Sequence, residues 1–437
     1  MNKYVCHPNG NDLNGGGYDL SSYAGTWAQW HNNFAALVVQ TGCSVGNNGS
    51  GKVRITSQGS TDLAAVPAFV IMYCDFNDAT YEDGRYVVLT AGNDYVDISL
   101  DYVSDKTVNV RIGGAFLSPK EACAKGNGTS LDEVLFPCNQ TTQTVNEVDG
   151  TANNITMATE EATLNSYGVD EATGIAITSE DSNDWPVIQA KTGSSWTANT
   201  ALFVSTAAAS SFKLDKIVFN GNGITPKLIQ IGNAQNDVTS FDVGDIKITN
   251  AIVGLQQEGN VRSIYSVFGV ATINSIVISD CVTGYYNYGG RPIPNIISFF
   301  QIDNCTYGIN AGSIGLSSFN NCGNIILSNN DYGIYTDSRN YFQSNGSMLF
   351  VGNTVDVYLK YYNTTNYYYT FSNCLFFNST NGGYIIATNN DAYIHVTLIN
   401  CVLGDVNDAS DMSRFSGITP TRIDCEYIQA DPFVDLA

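Results

Sequence analysis

Apolar and polar residues alternate in short runs through the first quarter of the chain. Val53-Arg54-Ile55-Thr56, Phe69 to Tyr73, Arg85 to Thr90, Tyr95 to Leu100 and Thr107 to Ile112 follow one another, with Asp83-Gly84 and Gly92-Asn93-Asp94 as turns between them. A period of two bounded by such turns predicts half-buried strands, here a small antiparallel meander or barrel ending at Gly113-Gly114. Upstream, Trp27, Trp30, Phe34, Leu37 and Val38 fall at roughly helical spacing between Ser21 and Gln40, which predicts one short helix. Residues 119–210 are rich in Thr, Asn, Ala and acids and show no period, so they read as loops and first irregular coils.

From Phe212 onward a register can be counted. Val218-Phe219-Asn220-Gly221, Ile248-Thr249-Asn250-Ala251, Ile278-Ser279-Asp280-Cys281, Ile302-Asp303-Asn304-Cys305 and Leu327-Ser328-Asn329-Asn330 open it. Phe350-Val351-Gly352-Asn353, Phe371-Ser372-Asn373-Cys374, Leu398-Ile399-Asn400-Cys401 and Arg422-Ile423-Asp424-Cys425 continue it, with final positions 30, 30, 24, 25, 23, 21, 27 and 24 residues apart. Uneven spacing of this size fits the coils of a parallel β-solenoid better than a helical repeat of fixed length. The first column is apolar in eight of nine cases, and the residue two before it is usually apolar too, so both face one interior. The third column is Asn or Asp in eight of nine: Asn220, Asn250, Asp280, Asn304, Asn329, Asn373, Asn400 and Asp424. Asx tolerates the left-handed backbone that a sharp bend needs, and stacked Asx side chains can bond from coil to coil. The last column holds Cys281, Cys305, Cys374, Cys401 and Cys425, read as a stack of small buried residues in a tight corner, with disulfide or metal roles as the alternatives. The expected organisation is a β-rich domain over 1–118, irregular coils over 119–210 and a parallel β-helix over 211–437.

Charge narrows the partners. With 19 Lys and Arg against 41 Asp and Glu the net charge is −22, which excludes a nucleic-acid backbone as the expected partner. The first ten residues lack the apolar run of a secretory signal, and no stretch reaches 18 apolar residues, so no membrane partner and synthesis in a cytoplasm are expected. The 11 cysteines form no CxxC pair and are expected to be reduced.

Candidate chemistry is sparse. Gly46 to Lys52 has the spacing of a phosphate-binding loop, but Val53 stands where a magnesium-holding hydroxyl belongs and a strand follows in place of a helix, so a turn is expected. Asn9, Asn11, Asp12, Asn14 and Asp19 offer hard oxygens without calcium-loop spacing, and His7, His31 and His395 are too few for a His-rich centre. No metal, cofactor or catalytic set is expected. Glycan cleavage would need two carboxylates about 5–10 Å apart, and Asp331, Asp337, Asp356 and Asp391 are the acids the bends leave unassigned. Tyrosine is the other surface feature. Tyr285, Tyr286 and Tyr288, Tyr361 and Tyr362, and Tyr367 and Tyr368 cluster so tightly that a strand cannot turn them all inward, which marks them as contacts for glycan or protein, the alternative being plain strand formers.

The register resembles the right-handed, single-stranded parallel β-helix of the pectate-lyase-like superfamily, a fold of polysaccharide lyases, glycoside hydrolases and phage tailspikes. The opening Tyr4-Val5 with Pro8 to Asp12 and the closing Ala430 to Asp435 resemble the two ends of such proteins. Asn14 to Asp19 (NGGGYD), Gly84 to Leu89 and Ile112 to Phe116 resemble bacteriophage and marine viral proteins with a small β-domain ahead of the helix. The resemblance implies an all-β virion structural protein, a capsid decoration or fibre-like protein whose partners are other virion proteins or copies of itself. The alternative it implies is a tailspike that binds or depolymerises host surface polysaccharide. An opening strand already at Tyr4 and a chain ending just after Asp435 leave little room for anchoring and trimerisation segments, which favours decoration over a spike.

Overall fold

The structure is a computed structural model that describes residues 2–19, 22, 34–36, 38–59, 63–126, 132–139, 141–157, 163–205, 211–232, 240–258, 273–288, 297–311, 317–318, 322–336, 342–344, 347–360, 366–377, 383–389, 392–406, 408 and 410–428. The fold is all-β, a parallel β-solenoid with a small N-terminal barrel, and the chain divides into two compact units, 1–148 with 163–188 and 149–162 with 189–437.

In the first unit Val38–Asn47, Lys52–Thr56, Tyr95–Asp101, Gly84–Ala91, Ile71–Phe76 and Lys106–Ile112 close into a barrel in that order. Alternation drives it. Val45, Val53, Ile55, Met72, Cys74, Val88, Val96, Ile98, Val108 and Val110 all face one interior and are buried there, each large side chain contributing about 1.5–3 kcal/mol. Beside them run the parallel strands Asn2–Val5, Glu133–Cys138 and Thr163–Asp170, so the barrel is an insertion between the opening strand and the next rung.

The three segments that carry the viral resemblance meet here. A Cβ on Gly15 or Gly17 would stand 1.8 Å from the carbonyl oxygens of Ile71 and Lys3, and one on Gly16, at φ 81°, would stand 2.3 Å from the Phe116 ring. Only glycine lets these backbones touch. Arg85 then donates to the carbonyls of Asn14 (3.1 Å) and Asp12, pairs with Glu121 at 3.0 Å, and lies 4.4 Å from the centre of the Phe116 ring.

Two expectations for this region need correction. Val38–Gln40, read as the end of a helix, begin a barrel strand, while residues 21, 23–33 and 37 of that reading lie outside the described residues. Residues 119–210, read as irregular, contain a helix at Pro119–Gly126 and strands at Glu133–Cys138, Val145–Val148, Ile155–Met157, Thr163–Asp170, Val187–Ala190 and Ala201–Ser205. Runs buried on nearly every residue, such as Val134 to Cys138, show no alternation to read.

The second unit stacks three sheets. The first carries, among others, Ser240–Thr249, Ile273–Ser279, Ile297–Asp303, Cys322–Ser328, Met348–Val351, Leu375–Phe377, Val402–Gly404 and Glu426–Ile428. The second runs through Ala201–Ser205, Lys227–Ile231, Val253–Glu258, Thr283–Tyr288, Tyr307–Ala311, Tyr332–Thr336, Val355–Leu359 and Tyr384–Thr388. The third holds Ser317–Ser318, Phe342–Ser344, Tyr367–Ser372, Ile394–Ile399 and Thr421–Ile423.

Asn250, Asp280, Asn304, Asn329, Asn373, Asn400 and Asp424 all sit in the left-handed region, at φ between 50° and 58°, and Gly352 takes that role in its coil at 66°. Asn220 does not, and its neighbour Asn222 does, at φ 53°. The side chains bond along the stack, Asn304 Nδ2 to Asp280 Oδ1 at 2.7 Å and Asn329 Nδ2 to Asp303 Oδ1 at 2.8 Å.

The nine segments are not one column, however. Ile278, Ile302, Leu327 and Phe350 pair in succession in the first sheet, but Phe350 pairs next with Phe376, whereas Phe371 and Leu398 pair in the third sheet. The first six segments therefore bend from first sheet to second, and the last three from third sheet to first. The cysteine stack divides with them, into Cys281 and Cys305 at one corner and Cys374, Cys401 and Cys425 at the other. The same corner, an exposed Asx bend followed by an inward residue, recurs at a second vertex of the coil, and the short step of 21 residues marks the change.

Candidate functional site

The second sheet presents a repeated outer face. Register aligns Gln230, Gln256, Tyr286, Asn310, Tyr335 and Tyr358 in one column, and Lys227, Val253, Thr283, Tyr307 and Tyr332 in another. The inner column of the same strands is Ile229, Leu255, Tyr285, Ile309, Ile334 and Val357, all buried. Because parallel strands repeat about every 4.8 Å, rings one coil apart stack. Tyr335 lies on Tyr358 with centroids 5.4 Å apart at 4°, and Tyr307 on Tyr332 at 5.5 Å and 15°. Tyr307 and Tyr335 are 4.9 Å apart, which joins the two columns into one half-buried aromatic patch.

At one end of this patch a groove of about 500 Å³ is lined by Asn199, Lys227, Gln256, Glu258, Tyr286 and Asn310 among others. Its charges are matched. Lys227 Nζ lies 3.7 Å from Glu258 Oε1 and donates to Gln230 Oε1 at 3.4 Å, while Gln256 Nε2 donates to Glu258. Burial lowers the Lys227 pKa, and Glu258 opposes that shift. The result is a surface of ring faces, amides and hydroxyls with no large net charge, suited to a partner that offers hydrogen bonds and flat apolar surface together.

The expected tyrosines distribute unevenly. Tyr286 is in the groove. Tyr285 is buried, donates to Gln257 Oε1 at 2.6 Å and meets the edge of Phe300, so it is a core residue and not a contact. Tyr367 is likewise buried. Tyr368 is exposed and stacks on His395 at 4.9 Å on the third sheet, away from the aromatic columns. Tyr288 ends a strand of the second sheet but its side chain lies outside the described residues, as do Tyr361 and Tyr362 altogether. Clustering in sequence misled because neighbours on a strand face opposite ways. Tyr307, Tyr332, Tyr335 and Tyr358 went unnoticed, although they recur three and six residues after the Asx bends, at Asn304, Asn329 and Gly352.

Of the unassigned acids, Asp331 is exposed at a bend, Asp337 and Asp391 lie outside the described residues, and Asp356 is fully buried. Asp356 interrupts a column of glycines, Gly254, Gly284, Gly308 and Gly333, and closes a buried chain of amides. Asn353 Nδ2 donates to Asp356 Oδ1 at 3.0 Å and to the Leu327 carbonyl at 2.8 Å, and Asn353 Oδ1 accepts from the Asn330 backbone at 2.9 Å. Asp356 Oδ2 has no hydrogen-bond partner among the described residues. Burial pushes the Asp356 carboxyl up to about 7, against the Asn353 hydrogen bond and the charge of Arg414.

The phosphate-loop lookalike is a hairpin. Asn47 Oδ1 accepts from the Gly49 and Gly51 amides, Asn48 Oδ1 accepts from Ser50 and Lys52, and Lys52 pairs with Asp101 at 2.7 Å. The amides that would hold phosphate are already bonded. In the Asn9 to Asp19 run, Asp12 Oδ1 caps the amides of Leu117 and Ser118, and Asn14 Nδ2 donates to the Ala115 carbonyl.

No known family profile matches the chain, and no curated protein matches it. Among solved structures it is similar to the tailspike protein gp49 from Pseudomonas phage LKA1, at 11% identity and a TM-score of 0.22, over 88% of this chain and 67% of that one.

Proposed function

We propose that the chain is a virion structural protein that acts by contact, a capsid decoration or fibre-like β-solenoid without catalysis, made in the host cytoplasm and carried on the particle. The observation that carries the contact reading is the outer face of the second sheet, where Tyr286, Tyr335 and Tyr358 recur at one register position and Tyr307 and Tyr332 at another. Tyrosine offers large, stiff contact area with a polar tip, and interfaces are enriched in it. The viral setting is what the resemblance of the NGGGYD, Gly84 to Leu89 and Ile112 to Phe116 segments implies. Its partners are other virion proteins, capsid or fibre, or further copies of the chain.

The test is the copy number per purified particle relative to the major capsid protein, by quantitative mass spectrometry. Copies in the tens to hundreds that follow capsid symmetry, lost on Tyr335→Ala with Tyr358→Ala, support decoration. Absence from particles refutes the reading.

A second reading, a tailspike that binds or depolymerises host polysaccharide, is favoured by the groove at Tyr286, whose amides, hydroxyls and ring suit a sugar. A handful of copies per particle, with depolymerisation that Glu258→Gln abolishes, would replace decoration by it.

A further inference from the structure

At the corner between the first and second sheets, the residue after the left-handed bend points inward, and in two successive coils it is cysteine. The pairs Ser279 with Asp303 and Thr283 with Tyr307 hold Cys281 and Cys305 in register, one directly above the other. The two side chains take the same pose, so their sulfurs are offset by one coil spacing. Each sulfur also lies 3.3 Å from a carbonyl oxygen, of Ser279 and of Asp303. Both residues, themselves buried, border a groove of about 480 Å³ together with Asn250, Asp280, Asn304 and Asp331. Packing explains why a small side chain is needed here, since Ala251 fills the same column, but it does not call for sulfur in two successive coils.

Spacing decides what the pair suits. Strands in register stand about 4.7–4.9 Å apart. A disulfide wants Cβ atoms at about 3.5–4.5 Å, closer than this stacking supplies. Two metal–thiolate bonds of about 2.3 Å each, laid end to end, span about 4.6 Å. Among the described residues no three His, Cys, Asp or Glu side chains gather as a metal set, so a tetrahedral ion has no place here, whereas a two-coordinate one needs only the pair. Thiolates select soft cations, and Asp280 and Asp331 on a chain of net charge −22 draw cations to the groove.

We propose that Cys281 and Cys305 form a binding site for one soft monovalent cation of the copper(I) or silver(I) class, bridging two coils. On binding, each thiol releases its proton to solvent and each sulfur forms one bond to the metal, with no change of oxidation state. The inference is independent of the virion reading.

The experiment is an anaerobic titration of the full chain with silver(I), followed by thiolate-to-metal absorption and by native mass spectrometry. Cys281→Ala and Cys305→Ala are the variants, with Cys374→Ala as the control at the other corner. Alanine is already native to this column, and the melting curve of each variant confirms that it folds. One tight equivalent that either groove variant loses and the control keeps is the expected result. Cys374, Cys401 and Cys425 stack in the same pose at the other corner, so binding there is counted apart. A number of bound equivalents that neither groove variant lowers overturns the site. So does loss of two hydrogens in mass when the folded chain meets a small disulfide, if the new bond maps to Cys281 and Cys305, because the sulfurs then sit at bonding distance and the spacing argument fails.

Discussion

Asp356→Asn separates the cost of the buried carboxyl from the benefit of its hydrogen bond. Asp356 is fully buried, with Asn353 donating to one oxygen and no hydrogen-bond partner for the other among the described residues. Arg414, the cation that acts on it, is itself bonded to Asp405 at 3.1 Å. Its folded-state pKa is near 7 against 3.8 for the free group, so the folded chain keeps a proton that the unfolded chain gives up. The sign follows. Below pH 4 both states are protonated and Asp356 costs nothing; from pH 4 to 7 the folded state binds more protons, so its stability falls as pH rises; above 7 the loss is complete. At 1.36 kcal/mol per unit the loss approaches about 4 kcal/mol, an upper bound for a site whose surroundings relax. Asparagine preserves the acceptor for Asn353 and cannot ionise, though its amide keeps an unmet donor of about 1–3 kcal/mol. Asp356→Asn is therefore expected to be near neutral or mildly destabilising at pH 4 and more stable than the parent by about 1–3 kcal/mol at pH 8. Hydrogen exchange at the amides of residues 353–359, across pH 4 to 8 and corrected for intrinsic rates, reads the difference where it arises. The variant minus parent difference cancels the other acids. If that difference is flat in pH, Asp356 is not protonated in the fold and the argument is wrong.

Other perturbations test the packing. Gly308→Ala sets a Cβ 2.5 Å from the Gly333 carbonyl oxygen, backbone that cannot swing aside, and should cost about 1–3 kcal/mol by thermal melting. Lys216→Met leaves Asp245, its partner at 2.7 Å, buried without a countercharge, at a cost of about 3–5 kcal/mol. Adding Asp245→Leu should restore most of that in denaturant titration, since removing both charges lifts the desolvation penalty. Tyr335→Ala with Tyr358→Ala should lower the melting temperature but leave the chain folded, because both rings are only partly buried and stack on the surface, while weakening partner association tenfold or more by the scale of interface hot spots, about 2 kcal/mol each.

The Asx bends were legible because backbone chemistry speaks through single residues. Few residue types accept φ near 55°, so Asn250, Asp280, Asn304 and Asn329 announce a corner wherever they recur. The barrel strands were legible for a similar reason, since one-sided burial writes itself as alternation. Coils over 119–210 were not, because Glu133–Cys138 and Ala201–Ser205 are buried on nearly every residue, and Val145–Val148 and Thr163–Asp170 turn Asn146, Ser166 and Gly168 inward, so that burial does not write itself as apolar alternation. No Asn or Asp among the described residues there takes a left-handed bend.

From Phe212 onward the sequence by itself determined the solenoid, its coil length and the residue that turns the corner in every counted segment but the first, where Asn222 bends in place of Asn220, since those depend on local conformation and on which side chains leave water. Tertiary structure alone decided that the nine bends serve two different corners, that Tyr285 faces the core while Tyr286 faces out, and that tyrosines 23 to 25 residues apart stack into one patch. Those outcomes depend on register between coils, and register is set by pairing across the sheet, where residues remote in sequence come within one strand spacing.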